Sequence, residues 1–331
     1  MRKSILFIVV LFLSLPASAQ QSRHFTFHYG FTVRNVQPGQ KLQVWFPRAQ
    51  SDEFQTVKIV SVKGDLPVRK TRETKYGDAI FYASVPKAAK SEYSFEVEYD
   101  VVRHERIGLP REGVQPKLLK ASAKETNGFL GPDKLVPVTG RLADIATRQV
   151  EGRTGTLDKA RAIYDYVFST MRYDKSGTGW GRGDAEWACD SKRGNCSDFH
   201  SVFISMARSQ RIPARFEIGF PLPAGKTSGE IAGYHCWAEF YDPQYGWVPV
   251  DISEAWKDQS KRDYFFGAHD VNRMQFSVGR DLRLDPPQAG EPLNYLVYPY
   301  VEVDGAVYPD VSNRFSFVDV GGTAAASASW R

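Results

Sequence analysis

Two short strands in the second half of the chain constrain the fold most, because they bring a histidine towards a carboxylate. Residues 234–241 and 247–252 are rich in apolar and aromatic side chains, and turn-forming residues separate them. If 242–244 form the loop of a hairpin, the antiparallel register sets His235 directly opposite Asp251. Directly opposed residues have Cβ atoms roughly 4.5–5.5 Å apart. A carboxylate at that distance accepts from the imidazole and fixes its tautomer.

A cysteine lies at the start of a predicted helix over 196–209, directly after Gly194 and Asn195. The helix dipole and the free N–H groups of the first turn stabilise a thiolate at Cys196. A cysteine, a histidine and an aspartate in this order, on a helix and a hairpin, are typical of a Cys-His-Asp catalytic triad. The chemistry of such a triad needs neither a metal nor a cofactor, and we predict none.

Two alternative roles concern the same side chains. His200 lies one helical turn from Cys196 and is a rival base, but no carboxylate is placed to orient it, so we expect it to have a helping or structural role. Zinc binding is the rival chemistry, because Cys189, Cys196, His200 and His235 are ligand types that zinc accepts. No C-x-x-C pair is present, and we predict no metal site.

The chain has three cysteines, and an odd number leaves at least one free thiol in an oxidising compartment. Cys236 follows His235 on the predicted strand and therefore faces the opposite side, which predicts a buried thiol outside the catalytic cluster. A disulfide from Cys189 to Cys236 or to Cys196 is the alternative. We expect three free thiols, with Cys189 free or partly exposed.

Four segments carry a family resemblance. They are Gly194-Asn195-Cys196-Ser197-Asp198, Arg211-Ile212-Pro213-Ala214-Arg215, Tyr234-His235-Cys236-Trp237-Ala238-Glu239 and Gly246-Trp247-Val248-Pro249-Val250-Asp251. Over residues 140–255 the chain resembles the transglutaminase-like superfamily, whose core is a papain-like α/β fold. The resemblance implies that Cys196, His235 and Asp251 are catalytic. It also makes Trp180 and Trp237 candidates for substrate or oxyanion contacts, with packing as the alternative, whereas Cys236 departs from the small residue often found there.

The alternation of apolar and polar residues organises the remainder of the chain. Phe25, Phe27 and Tyr29 begin a series of strand-like segments that predicts an N-terminal β-sandwich, so the fold class is α+β: a papain-like transglutaminase core preceded by that sandwich. The predicted divisions are a signal peptide (1–19), the β-sandwich domain (20–105), a linker (106–138), the catalytic core (139–255), a C-terminal β-rich extension (256–320) and a disordered tail (321–331).

The N-terminus has the pattern of a secretory signal. Arg2 and Lys3 precede a short apolar run, and Ala17-Ser18-Ala19 fits a cleavage site before Gln20. The alternative interpretation is an uncleaved membrane anchor, but the apolar run is shorter than the roughly 20 residues that span a bilayer. We expect a periplasmic or secreted protein without an integral membrane segment after cleavage. Cleavage lowers the net charge from +5 to +3, and the basic residues do not cluster, so nucleic-acid binding is not predicted.

Three functions remain open from the sequence. The first is amide hydrolysis by a protease or peptide amidase, the second is transfer of a glutamine acyl group to an amine, and the third is a binding or scaffold protein with an idle triad. An intact triad argues against the third. The expected partner is a peptide or protein substrate, and the sequence gives no oligomeric state.

Overall fold

The computed structural model describes residues 20–321, so the predicted signal peptide and residues 322–331 of the predicted tail lie outside it. The helices are α1 (Ala123–Asn127), α2 (Arg141–Gln149), α3 (Thr156–Thr170), α4 (Ala185–Ser191), α5 (Cys196–Ser209) and α6 (Ile252–Lys257). The strands are β1 (Ser22–Val33), β2 (Leu42–Pro47), β3 (Gln55–Gly64), β4 (Arg69–Arg72), β5 (Ala79–Val85), β6 (Tyr93–His104), β7 (Arg106–Ile107), β8 (Arg172–Tyr173), β9 (Arg193–Gly194), β10 (Ala214–Pro221), β11 (Ser228–Glu230), β12 (His235–Asp242), β13 (Gly246–Val250), β14 (Ala268–His269), β15 (Arg273–Val278), β16 (Tyr300–Val303), β17 (Ala306–Val307) and β18 (Val311–Asp319).

Two five-stranded sheets contain the N-terminal strands. Their orders are β11-β18-β1-β6-β3 and β17-β16-β2-β5-β4. The alternate aromatic residues of β1 point inward, and the rings of Tyr29 and Phe31 contact Phe46 of the second sheet at centroid distances of 6.4 and 5.1 Å. Burying one such side chain contributes about 1.5–3 kcal/mol. The alternating pattern of the sequence therefore forms the core between two sheets.

The predicted C-terminal extension contributes its strands to sheets formed by the earlier parts of the chain. β16 pairs with β2, β18 pairs with β1, and β15 pairs with β10. Phe220 of β10 and Phe276 of β15 contact Phe27 at 5.3 and 5.7 Å, which packs the sheet that contains β10 and β15 against the N-terminal sheet. The segment 256–320 therefore joins the two halves of the molecule. The predicted linker is largely irregular and contains α1 and β7.

A four-stranded antiparallel sheet and one central helix position the candidate site. The sheet order is β13-β12-β10-β15. α5 packs on this sheet, and α2, α3 and α4 pack around α5, so 13 of its 14 residues are buried. A helix that is buried on all sides is held by its surroundings as well as by its own hydrogen bonds. The α+β prediction is confirmed, and the predicted helix over 196–209 coincides with α5. Within residues 20–321, no helix combines the length and apolar character needed to span a bilayer.

Candidate active site

The first turn of α5 presents Cys196 on a capped helix start. Asn195 is the N-cap residue, and its side-chain oxygen accepts from Ser197 N–H at 2.9 Å. The Asp198 carboxylate accepts from Asn195 N–H at 2.8 Å, which completes a reciprocal capping box. These bonds use neighbouring N–H groups, whereas the Cys196 N–H at the first helical position has no intrahelical partner. The helix start can therefore stabilise negative charge beside the cysteine sulfur.

Asp198 also ties the preceding glycine-rich loop to the helix. Its carboxylate accepts from Gly181 N–H at 2.7 Å and from Gly183 N–H at 3.0 Å. Gly194 passes so close that a Cβ there would clash with this carboxyl group, and its φ of +153° is one that other residues rarely adopt. The Asn-x-x-Asp spacing of the capping box is a signal in the sequence that points to Asp198.

His235 and Asp251 meet, but in a different register from the predicted one. β12 pairs with β13 so that Tyr241 lies opposite Trp247, two residues away from the predicted pairing with Tyr245. Asp251 follows the last paired residue of β13 and caps α6. The His235 Nε2 atom nevertheless lies 2.7 Å from Asp251 Oδ2. A shift of two residues keeps each side chain on its original face, because side chains alternate along a strand with a period of two.

Asp251 has several further partners, and one of them is a buried arginine. Arg273 of β15 donates from Nη1 to Asp251 Oδ2 at 2.9 Å, while Ser253 Oγ and Glu254 N–H each donate to Oδ1 at 3.1 Å. Burial raises the pKa of Asp251, but the charges of His235 and Arg273 outweigh burial and hold that pKa well below its usual range. The carboxylate is therefore charged near neutral pH. Arg273 lies 22 residues after Asp251 in the chain, so no local sequence pattern links the two residues.

The electrostatics favour an ion pair between the cysteine and the histidine. Burial lowers the pKa of His235, but the Asp251 carboxylate outweighs it and raises that pKa to about 10. Burial raises the pKa of Cys196, but side-chain hydrogen bonds from Cys236 and His235 and the charge of His235 hold it well below its usual value. Near neutral pH the pair is therefore a thiolate and an imidazolium, which is the reactive state of a catalytic cysteine.

His200 is buried and uses both ring nitrogens for structure. Ile252 N–H donates to its Nε2 at 3.1 Å, so Nδ1 carries the proton and donates to the Cys196 carbonyl at 2.8 Å. Burial lowers the pKa of His200, which keeps the ring neutral. The ring links the first turn of α5 to the start of α6, in agreement with the structural role expected for it.

Comparison with known proteins places this site in a known domain type. Residues 143–252 match the family model of the transglutaminase-like superfamily core. The chain carries a transglutaminase-like core.

Two of the similar proteins match regions that extend beyond this transglutaminase-like core. An uncharacterised protein from Haemophilus influenzae is 28% identical over 318 residues, which cover 85% of each chain. The uncharacterised protein YebA from Bacillus subtilis is 24% identical over 135 residues, which cover 37% of this chain and 18% of YebA. A crystal structure of a candidate cysteine protease from Cytophaga hutchinsonii has 14% identity and a TM-score of 0.55, and the match covers 90% of this chain and 98% of that one. The last likeness shows a shared fold across nearly the whole chain.

The three cysteines are all free and buried. Cys189 was expected to be free or partly exposed, and it is a free thiol that is only 2% exposed on α4. The prediction that Cys236 lies outside the catalytic cluster is wrong, because Cys236 hydrogen-bonds Cys196. The strand does turn His235 and Cys236 to opposite faces, but the helix start lies at the end of that strand, where both side chains reach the nucleophile.

The two tryptophans proposed for substrate contacts differ in their surroundings. Trp237 is fully buried, and its indole N–H donates to Glu217 at 2.6 Å. Its only donor is therefore used, and the prediction of an oxyanion or substrate contact from Trp237 is wrong. The ring packs beside His235 and under Arg273, at 5.9 and 4.9 Å. Trp180 is half-buried in the loop held by Asp198 and donates to Gly177 O, so its contact with substrate stays a prediction.

Metal binding has little structural support at this core. Among residues 20–321, no three histidine, cysteine, aspartate or glutamate side chains are grouped as a metal site would require. Cys196 and His235, two of the zinc-type ligands that the sequence offered, instead form the ion pair described above.

Proposed function

We propose that the chain is an exported cysteine-dependent acyl-transfer enzyme that acts on amide bonds of peptides or proteins. Cys196 is the nucleophile, His235 is the general acid and base, and Asp251 orients His235. The observation that carries the proposal is the buried contact of 2.7 Å between His235 Nε2 and Asp251, beside a thiol at a helix N-terminus. This combination of nucleophile, base and orienting carboxylate is the arrangement that activates a cysteine.

In the first half-reaction the Cys196 thiolate attacks the carbonyl carbon of the amide. The new C–S bond pushes the carbonyl electron pair onto oxygen, and the Cys196 backbone N–H is one donor to that oxyanion. His235 gives its proton to the amide nitrogen as the C–N bond breaks. The amine leaves, and an acyl group remains on sulfur as a thioester.

In the second half-reaction the neutral His235 takes a proton from water or from an acceptor amine. The resulting nucleophile attacks the thioester, the C–S bond breaks, and the Cys196 thiolate returns. Water gives hydrolysis, and an amine gives a new amide. The charge on Asp251 stabilises His235 whenever it is an imidazolium. The carboxylate also accepts from the N–H at His235 Nε2, which holds the ring with Nδ1 towards the nucleophile.

The sequence supports the proposed location. The pattern of charged, apolar and small residues over 1–19 fits a cleaved secretory signal, which would deliver the enzyme to the periplasm or outside the cell. A peptide or protein is the proposed substrate, because the family chemistry acts on amides and no basic patch favours a nucleic acid.

A mixed pool of glutamine-containing peptides and a primary amine tests the proposal. Wild type, Cys196→Ala and Cys189→Ala are each incubated with the pool, and the products are identified by mass. We expect wild type and Cys189→Ala to form the same cleaved, deamidated or cross-linked products, and Cys196→Ala to form none. Hydrolysed and transamidated peptides have different masses, so the experiment also separates protease, amidase and transferase activity. If folded wild type bound peptides without converting any, the alternative of a binding or scaffold protein would replace the proposal.

A further inference from the structure

Cys236 lies against the proposed nucleophile, and the triad chemistry does not use it. We propose that Cys236 is a positioning residue for Cys196, with its S–H group donating to the Cys196 thiolate. The inference rests on the proposed function only for the identity of the nucleophile. It assigns to Cys236 a role in holding and stabilising the reactive sulfur.

The location of Cys236 supports this role. It is the second residue of β12 and is fully buried against the first turn of α5. Its Sγ lies 3.6 Å from Ser197 Oγ and 4.0 Å from His200 Nδ1, and it is in hydrogen-bond contact with the Cys196 side chain. The thiol is therefore enclosed by the residues that follow the nucleophile on the helix.

The neighbouring groups leave the thiolate as the strongest acceptor for this S–H. His200 Nδ1 cannot accept, because its proton is donated to the Cys196 carbonyl while Nε2 accepts from Ile252 N–H. Ser197 Oγ is a neutral acceptor and is also bonded to a tyrosine hydroxyl. An ionised acceptor forms shorter and stronger hydrogen bonds than a neutral one. The S–H of Cys236 therefore points to Cys196 whenever Cys196 is ionised.

The charges around the two thiols keep one ionised and the other protonated. Burial, together with contact with the ionised Cys196, raises the pKa of Cys236 well above its usual value, so Cys236 remains a donor. The pKa of Cys196 lies well below its usual value. The titratable groups that interact with Cys196 are Tyr173 of β8, Asp198 and His200 of α5, His235 and Cys236 of β12, Tyr234 before β12, and Tyr295 and Tyr298 before β16. Among these, Cys236 adds a neutral donor without adding a charge.

The test follows the alkylation of Cys196 by iodoacetamide as a function of pH. A Cys189→Ser background removes the third thiol, which contacts Lys192 rather than the catalytic groups. In that background, Cys236→Ala removes the donor, and Cys236→Ser replaces S–H by O–H. We expect Cys236→Ala to raise the apparent pKa of Cys196 by about one unit, which slows alkylation below that pKa about tenfold. Cys236→Ser should restore the parent profile or shift it to lower pH.

A purely packing role predicts a different result, because the alanine and serine variants would then have the same Cys196 profile. Equal profiles in the two variants, or a parent profile that Cys236→Ala leaves unchanged, would overturn the inference. Circular dichroism and thermal melts verify the fold, and Cys236→Val replaces Cys236→Ala as the variant without a donor if the alanine protein is unfolded. The readout needs no turnover. A failure of the proposed acyl-transfer reaction would therefore leave this measurement intact, and the two failures are distinguishable.

Discussion

His235 Nε2 and Asp251 Oδ2 lie 2.7 Å apart, although strand pairing does not set the two residues opposite each other. Ala238 pairs with Val250, and continuing that register places Asp251 opposite Trp237. His235 and Asp251 are thus diagonal neighbours on one face of the hairpin, within reach of side chains of this length. The end of β13 and the start of α6 bring the carboxylate the remaining distance, because Asp251 also serves as the helix cap.

Asp251→Asn tests the charge of this contact while preserving its shape. The carboxylate raises the pKa of His235 to about 10, so the imidazolium that protonates the leaving amine persists until about that pH. Without the charge, that proton is lost at lower pH, and the alkaline limb of kcat/KM moves towards the unperturbed value of about 6.5. We expect kcat to fall by about 10³–10⁴. Asp258→Asn, at an exposed cap of the next turn, is the matched control, and an unchanged alkaline limb in Asp251→Asn would contradict the assignment.

Replacement of the two buried histidines by alanine should separate their roles. His235→Ala removes the acid and base and should abolish turnover in a folded protein. His200→Ala leaves Ile252 N–H and the Cys196 carbonyl without their partner, at a cost of about 1–3 kcal/mol for each buried group. It should lower the melting temperature and retain measurable turnover. Thermal melts and single-turnover rates distinguish the two, and the reverse pattern of activity would show that His200 is the base.

Arg273→Met should destabilise the protein strongly. The side chain is 2% exposed and donates to Asp251, so its loss leaves a buried carboxylate with less compensation. Breaking a buried pair of this kind costs about 3–5 kcal/mol. Arg141→Met, which breaks an exposed surface pair with Asp190, should change the unfolding free energy by less than about 1 kcal/mol. Denaturant unfolding compares the two variants, and equal effects would mean that the Arg273 contact contributes little.

Gly194→Ala tests the close passage of the chain beside Asp198. The added Cβ clashes with the carboxyl group that fixes the helix start, and overpacking costs typically about 1–3 kcal/mol in addition to the strained φ. Gly152→Ala is the matched control, because Gly152 also has a positive φ of +73° but open space around it. We expect Gly194→Ala alone to slow the alkylation of Cys196. Similar alkylation rates in both variants would show that backbone strain, rather than the contact with Asp198, explains the glycine.

The sequence predicts the local elements of this site well, because their signals are local. The helix predicted over 196–209, directly after Gly194 and Asn195, matches α5. The hairpin loop is displaced because Asp242 accepts from the N–H groups of Gln244 and Tyr245 and pairs with Gly246. That turn moves the loop to 243–245, and the register moves with it. The shift by an even number of residues explains why the contact between His235 and Asp251 was still predicted.

The local periodicity of the sequence does not predict contacts between distant segments. Arg273 reaches Asp251 only because β15 joins the catalytic sheet beside β10, and strand partners of this kind are not encoded in local periodicity. Strand alternation predicts that His235 and Cys236 face opposite sides of β12. It does not predict that both side chains reach the start of α5, which depends on how the helix and the sheet pack. The sequence thus identified the side chains of the proposed triad, and the fold added the residues that contact them.

Labelling of the three thiols tests the central claim most directly. The folded protein is treated with a limiting amount of iodoacetamide near neutral pH, and peptide mapping measures the modification of Cys189, Cys196 and Cys236. The account predicts that Cys196 is modified first, because His235 and the helix start hold the pKa of its thiol well below the usual value. The same order should hold at mildly acidic pH, where an ordinary thiol with a pKa of about 8.5 is almost unreactive. Faster labelling of Cys189 or Cys236 in the folded protein would contradict the assignment of Cys196 as the nucleophile.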